Sequence, residues 1–128
     1  MYNLLKELNI EIEAPLPIYV ESDPVVILDD GCFIGNKIKS HKWAGPGFIK
    51  AYDPTCRFCQ AKVKPINKMA RKASQQGYAI YVIDVTDNPI FADAFNVNSY
   101  PTFFKVLPDG TIGEEIEGDL NVLENELP

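Results

Sequence analysis

The sequence predicts an α/β fold in which a mixed central β-sheet carries helices on both faces, preceded by an N-terminal extension. From residue 25 onward, runs typical of strands alternate with stretches typical of helices, and this alternation favours parallel pairing through right-handed crossovers. Near the C-terminus, two strand-like runs flank the turn sequence PDG, so a hairpin must add antiparallel strands. The 128 residues, 46% of them hydrophobic, suffice for one compact core.

We divide the chain into an N-terminal extension, residues 1–24, and one domain, residues 25–128. The extension contains a short helix candidate, Tyr2 to Leu8, followed by EAPLPIYVESDP, whose prolines favour extended chain over helix. Two interpretations of the extension stay open. It either adds to or covers an edge of the sheet, or it is a flexible arm for a partner.

The elements of the domain are predicted from apolar runs and turn residues. The first strand is Val25 to Leu28, and residues 32–47 form an irregular or short helical passage that ends in Gly and Pro. The other predicted elements are, in order, a strand at Phe48 to Tyr52, a helix from Cys56 to about Gln76, a strand at Ala79 to Val85, a helix at Pro89 to Phe95, a hairpin of Thr102 to Val106 with Thr111 to Ile116, and a last short helix capped by Asp119.

Charge and composition exclude several classes of function. A formal net charge of -6 argues against a nucleic-acid partner, because affinity for phosphate comes chiefly from clustered Lys and Arg. No apolar run reaches the roughly 18 to 20 residues that span a bilayer, and the first residues do not have the pattern of a signal peptide. Three cysteines are an odd number and too few for a disulfide-held scaffold, so we expect a reducing compartment, the cytoplasm.

Two of the three cysteines stand three positions apart in DPTCRFCQAK, between a predicted strand and the long predicted helix. Cys59 begins an apolar stripe at helical spacing, which continues through Val63, Ile66, Ala70 and Ala73. Cys59 is therefore expected to face the core. Cys56 lies at the helix start, where free backbone N–H groups and the helix dipole favour a thiolate, and Arg57 adds a cation.

This spacing indicates redox chemistry in preference to a structural crosslink. A disulfide between Cys56 and Cys59 would close a ring of very few residues, so it would stabilise the chain little. An outer thiolate can instead attack a disulfide of another protein, and its inner neighbour can resolve the mixed disulfide. The alternative is a zinc site that adds Cys32 and His41, but the long irregular spacing matches no ordinary zinc motif. We expect no metal and no cofactor.

The motif CRFC between a strand and a long helix, the later SYPT and the PDG hairpin together resemble thioredoxin and the domains of protein disulfide isomerase. The resemblance covers about Val25 to Leu127, and FIKAYDPTC fits the family's run into the redox helix. It implies a thioredoxin-like fold and a cis bond before Pro101. It also implies a groove in which the backbone of Tyr100 pairs with an extended peptide, as in strand addition.

The chain departs from the family pattern at four places. Thr55 stands where Trp usually precedes the first cysteine, and Arg57-Phe58 replaces the usual dipeptide; we expect these residues to contact substrate. Pro65 lies one position later than the family's helix-kinking proline, so the helix is expected to bend elsewhere. Lys50 replaces a buried acid six residues before Cys56, and we expect it to modulate the dithiol from below.

The resulting hypothesis is a thiol-disulfide oxidoreductase of thioredoxin or protein disulfide isomerase type that acts on protein disulfides. Its partners would be proteins with disulfides or thiols and an unidentified electron donor or acceptor, with neither nucleic acid nor membrane. Arg57 favours an isomerase-like or oxidase-like variant, since a cation near Cys56 makes the disulfide more oxidising. The alternative is a thioredoxin-fold binding or structural module with little redox turnover.

Overall fold

The computed structural model describes residues 17–117. A short 3₁₀ helix, Asp30–Cys32, follows the first strand. The strands and α-helices are β1 (Val26–Leu28), β2 (Phe33–Ile34), β3 (Lys37–Ile38), β4 (Gly47–Tyr52), α1 (Arg57–Ala61), α2 (Val63–Gln75), β5 (Ala79–Asp84), α3 (Pro89–Ala94), β6 (Thr102–Val106) and β7 (Ile112–Ile116). The predicted helix at Tyr2 to Leu8 and the one capped by Asp119 lie outside the described residues.

The main sheet has five strands in the order β1-β5-β4-β6-β7. Strands β1, β5 and β4 are parallel, while β6 runs antiparallel to β4 and β7 antiparallel to β6. Alternate residues of β4 and β5 enter two separate apolar clusters, one on each face. Helices α1 and α2 cover the first face through Cys59 and Ile66, and α3 covers the second through Phe91. The mixed sheet with helices on both faces is therefore confirmed.

The helix predicted from Cys56 to about Gln76 is divided into two helices, α1 and α2. The helix is interrupted at Lys62, whose backbone N–H donates to the carbonyl of Cys59 at 3.3 Å, and α2 resumes with a bond from Ile66 to the Lys62 carbonyl at 2.9 Å. Pro65 explains the break, because it has no N–H for the carbonyl of Ala61 and its ring crowds that carbonyl. The bend expected away from the usual proline position lies at Lys62.

Residues 32–47 contain a small hairpin that the sequence analysis missed. Strands β2 and β3 pair around Gly35 and Asn36, and Gly35 has a φ of 60°. A Gly at positive φ in the first turn position is typical of a two-residue hairpin turn. The Ile38 N–H donates to the carbonyl of Gly110 at 2.9 Å, which ties this hairpin to the β6-β7 turn.

The described part of the extension packs against the domain. Tyr19 is 3% exposed and belongs to the apolar cluster under α1 and α2, and its ring meets Tyr52 edge-on with the centroids 5.4 Å apart. Val20, its neighbour, is 48% exposed. Residues 17–24 thus contribute a core side chain to the sheet face that carries the cysteines.

We expect Tyr19→Ala to lower the free energy of unfolding by about 3 kcal/mol, the order of loss for truncating a buried aromatic side chain. Val20→Ala is the matched control and should change it by less than about 0.5 kcal/mol, as an exposed position does. Urea denaturation of the reduced protein measures both values. Equal small losses would show that residues 17–24 do not pack in solution.

Candidate dithiol site

A short turn delivers Cys56 to the end of the central strand. After β4, the Asp53 carboxylate accepts hydrogen bonds from the Thr55 backbone N–H at 2.8 Å and from the Thr55 hydroxyl at 2.7 Å. The Cys56 N–H donates to the Asp53 carbonyl at 3.0 Å. This turn places Cys56 immediately before the first residue of α1.

Cys56 is the N-cap of α1. Its sulfur accepts a hydrogen bond from the backbone N–H of Cys59 at 3.3 Å, and it lies 3.6 Å from the carbonyl oxygen of Tyr100. The Cys56 side chain is partly exposed, and all three cysteines are free thiols. The sulfur therefore lies at the start of α1, where it is partly accessible from solvent.

Cys59 faces the core, as its place in the apolar stripe predicted, and it is fully buried. Burial raises the pKa of its thiol to about 12, and the hydrogen bond with Cys56 acts in the same direction. A backbone hydrogen bond with Asp53 and the positive charge of Lys50 partly oppose this shift. The two thiols therefore differ in their exposure to solvent.

Lys50 lies directly under the cysteines and has no exposed surface. Its Nζ donates to the Cys59 carbonyl at 3.0 Å and to the Tyr19 hydroxyl at 2.7 Å. The same atom lies 4.9 Å from the ring centroid of Tyr19 and 5.8 Å from that of Tyr52. Burial lowers the pKa of Lys50 to about 8, although the nearby thiols favour its charged form. At neutral pH the lysine is therefore mainly an ammonium ion.

The residues expected to contact substrate are neighbours of Cys56 in the chain or belong to the Tyr100–Pro101 segment, whose Tyr100 carbonyl lies beside the Cys56 sulfur. The Tyr100–Pro101 peptide bond is cis, and the Thr102 hydroxyl donates to the Ser99 carbonyl at 2.6 Å, which holds the chain at the start of β6. Thr55 and Arg57 are exposed. Phe58 is 72% and Tyr100 37% exposed. An accessible sulfur thus lies among side chains that a bound peptide can touch.

The sequence analysis missed Tyr19 as part of this site. One interpretation of the extension places it against the sheet, but a lone tyrosine among prolines shows no spacing that would assign this residue to the site. One indirect signal exists in FIKAY, where Lys50 interrupts an otherwise apolar strand. A lysine buried there needs a polar partner from another segment.

The zinc alternative finds no support in the described residues. Within residues 17–117, no group of three or more His, Cys, Asp or Glu side chains is arranged to hold a metal ion. Cys32 is buried with its sulfur 3.5 Å from a carboxylate oxygen of Asp29, and His41 is exposed. The same part of the chain contains no helix long and apolar enough to cross a membrane.

Comparisons with known proteins agree with this architecture. The sequence model of the thioredoxin family matches residues 36–127, whereas no curated protein sequence matches the chain significantly. Among solved structures, a mutant thioredoxin from Halobacterium salinarum is 22% identical, with 85% of this chain and 93% of that chain covered and a TM-score of 0.59. A Fasciola hepatica thioredoxin is 18% identical, with 66% and 79% covered and a TM-score of 0.58.

A third similar structure is the J-Trx1 fragment of ERdj5, which is 20% identical and has a TM-score of 0.61. The alignment covers 75% of this chain and 43% of that fragment. Similarity at these identities establishes the fold of the chain.

We expect iodoacetamide at pH 8 to modify Cys56 at least about tenfold faster than Cys59 or Cys32, because the attacking species is an accessible thiolate. Cys59 is buried, and because its pKa is raised, only a small fraction of this thiol is ionised at pH 8. Peptide mapping by mass spectrometry measures the rate at each cysteine. Cys56→Ser should remove the fast phase, and faster labelling of Cys59 would contradict the assigned asymmetry.

Proposed function

Because the chain belongs to the thioredoxin family, we propose that it is a thiol-disulfide oxidoreductase of thioredoxin or protein disulfide isomerase type, acting on protein disulfides. One observation carries the proposal: a partly exposed sulfur at a helix N-cap lies 3.3 Å from the backbone N–H of a fully buried second cysteine. Attack and resolution require one accessible and one protected sulfur at this spacing.

The proposed reaction moves two electrons from the dithiol to a substrate disulfide. The Cys56 thiolate attacks one substrate sulfur, the substrate S–S bond breaks, and the leaving thiolate takes a proton from solvent. Cys59 then gives its proton to water and attacks the Cys56 sulfur. The Cys56–Cys59 disulfide forms as the second substrate sulfur leaves as a thiolate, which is protonated in turn. The reverse sequence oxidises a substrate dithiol.

We assign substrate contacts to Thr55, Arg57, Phe58, Tyr100 and Pro101. The Tyr100 carbonyl lies 3.6 Å from the Cys56 sulfur, so a peptide that pairs with this backbone would bring its own disulfide to that sulfur. Phe58 offers an exposed apolar surface. The substrates are then proteins with disulfides or thiols in locally extended segments.

We assign to Lys50 a modulating role. An ammonium ion near the dithiol stabilises a thiolate, which exists only in the reduced protein, and so favours reduction. Its bond to the Cys59 carbonyl holds that charge under the inner cysteine. The electron donor or acceptor would itself be a thiol or disulfide protein, and the proposed compartment is the reducing cytoplasm.

The variant Cys59→Ser should form stable mixed disulfides with substrate proteins. Cys56 still attacks the substrate disulfide, but the second thiol that resolves the adduct is missing. Cys56→Ser should give none. Non-reducing gels after incubation with a reducible protein such as insulin measure the adducts, and Cys32→Ser is the control that should behave like the wild type. Equal trapping by both active-site variants would refute the assigned roles, and trapping by neither would favour the binding module.

Lys50→Met should make the dithiol couple a weaker oxidant by about tenfold in its equilibrium constant with glutathione, which corresponds to about 30 mV. The substitution removes the charge that favours the thiolate while keeping an unbranched side chain of similar length. Lys68→Met, at an exposed position of α2, is the matched control and should leave the constant unchanged. An unchanged or more oxidising couple in Lys50→Met would show that the charge of Lys50 does not act on the sulfurs.

A further inference from the structure

The N-terminal segment supplies a polar group to the dithiol site, and the function proposed above does not use it. Tyr19 is 3% exposed, and its hydroxyl is the partner of Lys50 Nζ at 2.7 Å, a shorter contact than the 3.0 Å from Nζ to the Cys59 carbonyl. The tyrosine lies 31 residues before the lysine in the chain. The contact is therefore a specific tertiary interaction between the extension and the central strand.

The chemistry of a tyrosine hydroxyl suits both protonation states of the lysine. As an acceptor it binds an N–H of the ammonium ion in a charge-assisted hydrogen bond, which is stronger than the neutral bond that it can donate to the lone pair of the neutral amine. The Cys59 carbonyl can only accept. Burial raises the pKa of Tyr19 above its ordinary value, so the side chain keeps its hydroxyl proton while Lys50 titrates.

We propose that Tyr19 is a positioning residue of the dithiol site, whose hydroxyl holds the amino group of Lys50 under Cys59 and favours its charged form. This inference rests on the proposed redox function for its effect on the couple, but the contact with Lys50 exists independently of that function. It makes residues 17–24 a part of the working site. Tyr19 touches neither the sulfurs nor a substrate in this account and acts only through the lysine.

Other ionisable groups lie around Lys50 and its tyrosine neighbours and are the same in the parent protein and in each Tyr19 variant. These groups are Tyr52 on the same strand, Cys56 and Cys59 at α1, Lys62 between the helices, Asp23 near Tyr19, and Asp84 and Asp87 near Tyr52. None of them donates to or accepts from Lys50 Nζ through its side chain among the hydrogen bonds of residues 17–117. The Tyr19 hydroxyl is the only side-chain partner there.

The first experiment measures the titration of Lys50 directly. The variant is Tyr19→Phe, which removes the hydroxyl and keeps the ring that packs on Tyr52, in a Cys56→Ser background where disulfide exchange plays no part. Loss of a hydrogen bond to the charged form should lower the midpoint of Lys50 by about one pH unit. Carbon-13 NMR of the lysine ε-carbon follows the midpoint, and the signal is assigned by its absence in Lys50→Met.

Tyr78→Phe is the matched control, since Tyr78 is a partly buried tyrosine packed against the same apolar cluster. It should leave the midpoint of Lys50 within about 0.2 units of the parent. A midpoint that Tyr19→Phe leaves unchanged, or that both variants lower equally, overturns the proposal. Because this measurement needs no exchange activity, its result stands whether or not the chain is an oxidoreductase.

The second experiment asks whether Tyr19 acts through Lys50 on the redox couple. In the protein with both cysteines, Tyr19→Phe should weaken the oxidant by about two- to fivefold in the equilibrium constant with glutathione, part of the full effect of removing the charge. In the Lys50→Met background, Tyr19→Phe should not change the equilibrium constant with glutathione any further. Additive effects would assign Tyr19 a general structural role and overturn the proposal. Failure of the wild-type dithiol to equilibrate with glutathione would instead refute the proposed function.

Discussion

The ammonium group of Lys50 has no contact with solvent, and an apolar interior tolerates such a group only when its N–H donors are paired. The Tyr19 hydroxyl and the Cys59 carbonyl take two of these donors, and the centroid of the Tyr52 ring lies 5.8 Å from the charge. These two partners belong to the extension and to α1. The need to compensate one buried charge therefore determines how the extension, β4 and α1 pack together.

The central place of β4 makes this meeting possible. It pairs with β5 on one side and β6 on the other, so the turn that carries Cys56 and the chain that enters β6 lie beside each other. The close approach of β4 to β5 begins at Gly47, where an added Cβ would lie 1.7 Å from the Ala79 carbonyl oxygen. Only glycine fits there, and it therefore allows β4 to pair with β5 in the observed register.

Much of this arrangement could be predicted because it follows from local pattern. Strands such as Ala79–Asp84 can be recognised in the sequence as apolar runs. The apolar stripe that begins at Cys59 indicates that Cys59 is the buried thiol. The break at Lys62 could be predicted only from the effect of Pro65 on the preceding helical turn. The hairpin at Gly35 could not be predicted, because the passage that contains it is polar and shows no strand pattern. Tyr19 could not be assigned, because its role depends on a contact across 31 residues that no periodicity records.

The attraction between Lys50 and the cysteines acts in both directions. Lys50 lowers the pKa of Cys59, and the thiols raise the pKa of Lys50. A disulfide carries no thiolate, so the lysine binds its proton more weakly in the oxidised protein than in the reduced one. In the proposed function, reduction is therefore coupled to proton uptake at Lys50 where the reduced protein carries a thiolate, and this contribution is lost as pH rises through about 8 and Lys50 becomes neutral. A carboxylate at this position would act with the opposite sign, since its charge disfavours the thiolate.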